Sequence, residues 1–247
     1  MSSVEEYYES LLARHYTWMR GDFDSRVREN RALFEESGVS PRKSGKALDL
    51  GCGSGFQSVA LAQMGFEVVG VDSSAALLRE LRSRAKNLPI HPVSGDMREA
   101  RLYAEHGPFE VAVCMGDTIT HLRSREEVAA VIRAVYESLE KGGHFFLQFR
   151  DLTHELEGVD RAIPVRSDDD RIMATFLEYE AEHVNVHDMI FVREPSGWAM
   201  HKSAYKKVRL GAKDTLGLME KAGFGILDHS EREGFSTIIG VKTGSRE

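Results

Sequence analysis

The stretch Ala47-Leu48-Asp49-Leu50-Gly51-Cys52-Gly53-Ser54-Gly55 constrains this chain more than any other. A short apolar run ends in glycines at alternate positions, and the residues from Gln57 to Met64 then take on a helical pattern. A strand that turns through glycines straight into a helix packs that helix back onto its own sheet, which is how a parallel α/β fold begins. Glycine at 51, 53 and 55 admits positive φ and lets a ligand approach with no Cβ in the way. The following helix aims its free N–H groups and positive dipole end at the same loop. Asp72 ends the next strand, where a carboxylate can accept hydrogen bonds from both ribose hydroxyls of an adenosine ligand. Asp72 could alternatively cap the helix after it, although Ser73 and Ser74 can do that as well.

The pattern continues in strand–helix units. Strands are expected at Phe66–Val71, Ile90–Val93, Glu110–Cys114 and Gly143–Phe149, with helices at Ser74–Ala85 and Arg125–Leu139. Upstream, the spacing of Tyr8, Leu11, Leu12, His15 and Met19 predicts a helix that Gly21 breaks, and Ser25–Glu36 predicts a second. Beyond Arg150 the period changes. Ile172–Tyr179, Val184–Arg193 and Trp198–Leu210 read as three antiparallel strands with no helix between them. A helix at Lys213–Ala222, closed by Gly223, and an antiparallel pair, Phe224–His229 and Ser236–Val241, complete the chain.

The expected fold class is therefore α/β, a Rossmann-like doubly wound sheet with a C-terminal antiparallel pair and an antiparallel β insertion after the fifth strand. The expected organisation is a helical cap over 1–44, a ligand-binding core over 45–150 and 211–247, and a substrate lid over 151–210.

Bulk properties narrow the function classes. With 247 residues, 42% hydrophobic and 29% charged, the chain can bury a core without metal or disulfide staples. Cys52 and Cys114 form no CxxC pair and read as packing residues. A net charge of −7 argues against a phosphate-backbone partner. The basic run Lys202, Lys206, Lys207 and Arg209 reads as the wet side of a strand. No uninterrupted apolar run approaches the ~18 residues needed to span a bilayer, and the first ten residues lack the pattern of a signal peptide. The expectation is a cytoplasmic protein with no membrane and no nucleic-acid partner.

Two details bear on the ligand. A dinucleotide fingerprint would need glycine at 56, where this chain has Phe56. Asp49 places a carboxylate behind the loop, which suits a cationic ligand better than a pyrophosphate.

The run Ala47–Gly55 resembles the first motif of class I S-adenosylmethionine-dependent methyltransferases, and further motifs follow in order. Val71-Asp72 resembles the acidic second motif and Gly95-Asp96-Met97 the third, while Cys114-Met115-Gly116-Asp117 ends the fourth strand. Leu139-Glu140-Lys141-Gly142-Gly143 resembles the motif leading into the fifth. The match is strong over 45–150 and holds over 212–242 by order of elements only. The resemblance implies S-adenosylmethionine as donor, with S-adenosylhomocysteine as product. It also implies donor contacts at Asp49, Gly51, Cys52, Gly53, Gly55, Asp72 and Ser73, with Asp96 and Met97 at the adenine and Met115, Gly116 and Asp117 at the methionine end.

Small-molecule members of this family commonly cover the acceptor with an antiparallel insertion, and the arrangement resembles the glycine and sarcosine methyltransferase branch. Tyr16, Trp18 and Arg20 are candidates to enclose the donor, Arg20 through its carboxylate. His121 and Tyr179 are candidate catalytic residues, and Arg150 and Tyr205 candidate acceptor contacts. The amino-methylating nucleic-acid motif [D/N]-PP-[Y/F] is absent after the fourth strand, neither cysteine precedes a proline, and the asparagines (Asn30, Asn87, Asn185) supply no Asp–Asn metal pair. The expected function is methylation of a small-molecule N or O acceptor without a metal. An RNA or protein side-chain acceptor, or a non-catalytic NAD-like module, is the alternative. Oligomeric state stays open, a homodimer included.

Overall fold

The structure is a computed structural model that describes residues 13–244. Two helices open it, α1 (Ala13–Arg20) and α2 (Phe23–Glu36), separated by Gly21 at φ 100°. The predicted positions Tyr8, Leu11 and Leu12 of the first helix lie outside the described residues. The units β1 (Lys46–Leu50), α3 (Phe56–Gln63), β2 (Glu67–Asp72), α4 (Ala75–Arg84) and β3 (Ile90–Ser94) follow. A short helix α5 (Arg101–Ala104) leads to β4 (Phe109–Cys114), a 3-10 turn at Thr118–His121, α6 (Arg125–Ser138) and β5 (Leu139–Phe149). Four strands come next, β6 (Ala162–Ser167), β7 (Arg171–Tyr179), β8 (His183–Glu194) and β9 (Gly197–Val208). The chain then closes with α7 (Ala212–Ala222), β10 (Phe224–Arg232) and β11 (Phe235–Lys242).

Seven strands form one sheet in the order β10-β11-β5-β4-β1-β2-β3. Its pairs from β5 to β3 are parallel, whereas β11 runs antiparallel to both β5 and β10. Period-2 alternation splits each central strand between two cores. Leu48, Leu50, Ala112, Cys114, Phe145 and Leu147 face α6 and α7, while Ala47, Val68, Val111, Val113 and Phe146 face α2, α3 and α4. Helix α6 shows why its sequence is helical. Val128, Val131, Ile132 and Val135 make one buried stripe, and Ser124 caps it by accepting a bond from Glu127 N at 3.3 Å.

Strand order reverses between β1 and β4, so the glycine loop after β1 opens at the switch point where ligands bind in such sheets. The strands β6-β7-β8-β9 form a separate antiparallel sheet. β6 is an addition to the three strands expected there. It is exposed along most of its length and contains Pro164, as an edge strand can.

Candidate functional site

The glycine loop is held by β2. Gly51 N and Cys52 N both donate to Val71 O, at 2.8 and 3.1 Å. Gly51, Gly53 and Gly55 have φ of 70°, 51° and 99°. A Cβ on Gly51 would run into the Thr118 side chain after β4, so the loops at the ends of β1 and β4 touch only because this residue is glycine. A Cβ on Gly53 would lie 3.2 Å from the Tyr16 ring. The Asp72 carboxylate accepts from Gly53 N at 2.7 Å and from Ser74 N at 2.8 Å. Helix α4 is capped by Ser74 rather than Asp72, since Ser74 Oγ accepts from Leu77 N. Ser73, between them, is exposed.

Asp49 lies behind the loop, only 1% exposed, with Ser58 Oγ donating to it at 2.6 Å. Burial raises its pKa to about 7, the Ser58 bond opposing and the Asp72 charge adding to the rise. Cys52 is buried, its thiol pushed well up by burial, and its sulfur packs toward Gly70 of β2. It is a packing residue. Cys114, likewise buried, has its thiol pushed up by the same cause.

Helix α1 crosses this site. Tyr16 covers Gly53, with its hydroxyl pKa raised by burial. Thr17 Oγ1 lies 2.7 Å from Glu80 Oε2 and 3.1 Å from Ser54 Oγ, fastening the helix to α4 and the loop. Arg20 reaches Gly116 at the end of β4, where an added Cβ would lie 3.3 Å from its guanidinium. Trp18 turns the other way. Its Nε1 donates to Asp168 Oδ2 at 2.5 Å, and the Arg171 guanidinium lies 4.6 Å from the ring centroid, so the indole joins α1 to the four-stranded sheet.

At the far end of the site Asp96 is gripped by Arg98, which also pairs with Glu127. The Arg98 bond lowers the Asp96 pKa against the opposing effect of burial. Met97 packs on the core beside Tyr103, whose hydroxyl donates to Met97 O. Met115 is buried.

After β4, Gly116 and Asp117 both have positive φ, 71° and 81°. The Asp117 carboxylate, 4% exposed, accepts from Arg150 N, from Thr120 Oγ1 and from Lys207 Nζ on β9. Burial acts to raise its pKa, and the Lys207 ammonium with these bonds outweighs it and holds the group ionised. The basic run on β9 is thus split by strand alternation, correcting the expectation of a uniformly wet side. Lys206 pairs with exposed Glu180, but Lys207 turns inward, its side chain 12% exposed, to pair with buried Asp117, and Arg209 is 9% exposed and bonded to Glu155.

Of the four residues assigned to the acceptor side, two come together. His121 and Tyr205 stack with ring centroids 5.2 Å apart. Burial and the Lys207 charge lower the His121 pKa to about 3, against a smaller raising effect of Asp117, so the imidazole is neutral and a weak base at neutral pH. Arg150 is exposed and lies 4.1 Å over the Phe235 ring, which Arg20 approaches at 5.8 Å. Tyr179 sits apart, with the Arg209 guanidinium 5.5 Å from its ring, at the root of the four-stranded sheet. Thr17, Thr118 and Phe235 carry no sequence signal, and Lys207 reads from sequence only as part of a basic strand face. Thr118 and Phe235 are brought in by loop geometry, which has no signature in the chain.

Residues 47–143 match a family model described as a methyltransferase domain. The chain is 35% identical over 104 residues to a cypemycin N-terminal methyltransferase from Streptomyces sp, a match covering 42% of this chain and 41% of that protein. It is 29% identical over 150 residues to a glycine/sarcosine N-methyltransferase from Halorhodospira halochloris, covering 60% and 54%. These matches span about half the length of the relatives, or less. In fold it is similar to an S-adenosylmethionine-dependent methyltransferase from Clostridium acetobutylicum, with TM-score 0.76 and 17% identity over 96% of this chain and 99% of that one. A doubly wound sheet with a glycine loop and an acid at its switch point defines a nucleotide-type binding fold. Residues 47–143 thus carry a methyltransferase domain, and the sheet with its antiparallel finish has a fold similar to that of an S-adenosylmethionine-dependent methyltransferase.

Proposed function

We propose that the protein transfers a methyl group from S-adenosylmethionine to a small-molecule amine, with a hydroxyl acceptor as the other member of the class. The observation that carries this reading is the continuous cradle at the switch point: three positive-φ glycines, Asp72 on Gly53 N, and α1 laid across them. A bulky residue at 51, 53 or 116 would fill it, which fits a ligand that needs close backbone approach.

Asp72 holds the ribose hydroxyls, Met97 lies beside the adenine, and Gly116 and Arg20 receive the methionine end. Asp49 supplies negative charge behind a cationic ligand. When bound, the donor supplies a methyl group on a sulfonium, already activated for in-line transfer. What remains for the protein is alignment and exclusion of water. Tyr16 closes the loop from above, and His121 with Tyr205 forms the wall nearest Gly116–Asp117. A neutral amine needs no strong base to attack, which agrees with the weakly basic His121.

Residues 151–210 act as the acceptor lid and helices α1 and α2 as the opposite wall, with Arg150 at the mouth. The glycine/sarcosine N-methyltransferase similarity supports a small amine, and the net charge supports it over RNA. A peptide amino terminus is the second reading, favoured by the cypemycin N-terminal methyltransferase similarity. Calorimetric titration with S-adenosylmethionine and S-adenosylhomocysteine tests the donor, and micromolar binding is expected. Absence of binding to both removes the reading. Release of S-adenosylhomocysteine in the presence of free amines, compared with short peptides, separates the two acceptors.

A further inference from the structure

The inner face of the four-stranded sheet packs against α1, and its strand β8 is apolar on that face except at one position. Along β8, Val184, Val186 and Ile190 are buried at 0–3% exposure, and Asp188 stands among them at 2%. In register, Asp188 faces Thr175 on β7 and Ser203 on β9. Thr175 Oγ1 donates to Asp188 Oδ1 at 2.5 Å. Ser203 Oγ is buried and has no hydrogen-bond partner among the described residues, and the same is true of His15 Nδ1 on α1. His15 faces this sheet: its surroundings include Arg171 on β7 and His201 on β9, and His201 is two residues from Ser203 along the same face.

Burying Ser203 Oγ and His15 Nδ1 in such a wall is costly unless something completes their hydrogen bonding. The row also lies close to the chemistry. Ser203 is two residues, roughly 7 Å, from Tyr205, which stacks on His121 beside the end of β4.

We propose that Thr175, Asp188 and Ser203, with His15 opposite, form the polar anchor for the acceptor, and that the acceptor is a hydroxyl-bearing amine, an amino alcohol or amino sugar by class. The proposal rests on the methyltransferase reading above. Asp188 accepts hydrogen bonds, neutral His15 can accept or donate one, and Ser203 does either. A hydroxylated amine meets all of them. A purely aliphatic or aromatic amine leaves Ser203 and His15 unsatisfied.

The test uses matched pairs that differ only in hydroxyl groups: 2-amino-1,3-propanediol against isopropylamine, and glucosamine against cyclohexylamine. Binding is measured calorimetrically with S-adenosylhomocysteine saturating, and turnover by S-adenosylhomocysteine release. The hydroxylated member of at least one pair is expected to be preferred by tenfold or more. That preference should fall to within about twofold in Asp188→Asn and in Ser203→Ala, while both variants keep wild-type affinity for S-adenosylhomocysteine, which also reports that they fold. Two results overturn the proposal: hydroxylated members that do no better than their partners, or a preference that survives in both variants. Failure of the wild-type protein to bind S-adenosylhomocysteine is a different result, and it removes the methyltransferase reading together with the proposal.

Discussion

Asp49 is a carboxyl that folding makes harder to ionise, and the size of that effect can be worked out. Its pKa stands at about 7 in the folded protein against 3.8 for the unperturbed group, with burial as the main cause and the charge of Asp72 adding to it. A raised carboxyl pKa means that the folded state holds its proton more tightly than the unfolded chain. The stabilising effect of that proton is complete below about pH 4 and is lost as the pH rises to about 7. Each pH unit within that window costs about 1.4 kcal/mol. Between pH 5 and pH 8 the loss is therefore about 2 to 3 kcal/mol. Asp49→Asn keeps the shape and leaves an oxygen to accept from Ser58, but removes the titration. The stability of the variant relative to wild type should rise by that amount from pH 5 to pH 8. Urea unfolding at four pH values, followed by the fluorescence of Trp18 and Trp198, measures the difference directly. Parallel pH profiles for the two proteins would refute the account of Asp49 as a proton-holding group behind the loop.

Further outcomes follow from the same geometry. A cationic donor favours ionised Asp49, so S-adenosylmethionine should bind more tightly at pH 8 than at pH 6 in the wild type, with the difference much reduced in Asp49→Asn. Asp72→Ala removes the acceptor of Gly53 N and the expected ribose contact, and should weaken S-adenosylhomocysteine binding tenfold or more, about 1.4 kcal/mol; unchanged calorimetric affinity would count against the site. Lys207→Met leaves Asp117 buried without its ammonium and should cost about 3 to 5 kcal/mol of stability. Adding Asp117→Asn should restore much of the loss in urea unfolding. Trp18→Phe loses the bond to Asp168 but keeps most of the packing. It should raise acceptor KM severalfold with donor affinity unchanged, and the opposite pattern in steady-state and calorimetric measurements would show that Trp18 serves the donor.

The parallel core was legible because its strands and helices carry strong local signals. Buried strands such as β4 and β5 read as apolar runs, α6 shows an unbroken i, i+3, i+4 stripe, and Gly223 ends α7 at φ 109°. Local reading failed where the environment overrides propensity. β6 is a short, mostly exposed edge strand interrupted by Pro164, and its partner β7 supplies the pairing that its own sequence does not advertise. The geometry of the glycine loop was legible for the same reason as the core, since glycine spacing and a strand-end acid are local features. The surroundings of Asp117 and His121 were not. Neither the pairing of Lys207 with Asp117 nor the stacking of His121 on Tyr205 follows from spacing, because each joins segments more than 80 positions apart. Trp18 looked like a donor residue by its neighbours in sequence, yet the two positions between it and Tyr16, about 200° of helix, turn it toward Asp168.

Both ends of the segment that carries the four-stranded sheet are stitched together where it leaves and rejoins the core. The Arg209 guanidinium donates to Leu152 O at 3.2 Å and to Thr153 O at 2.7 Å, and Asp151 Oδ2 accepts from Ala212 N at 3.0 Å. The outgoing and returning chains thus meet at one clasp, and the parallel sheet closes beneath it through β5 and β11 alone. Such a segment behaves as an interchangeable cassette. A different sheet, seated on the same clasp, would present a different wall to the switch point without asking any strand of the core to move.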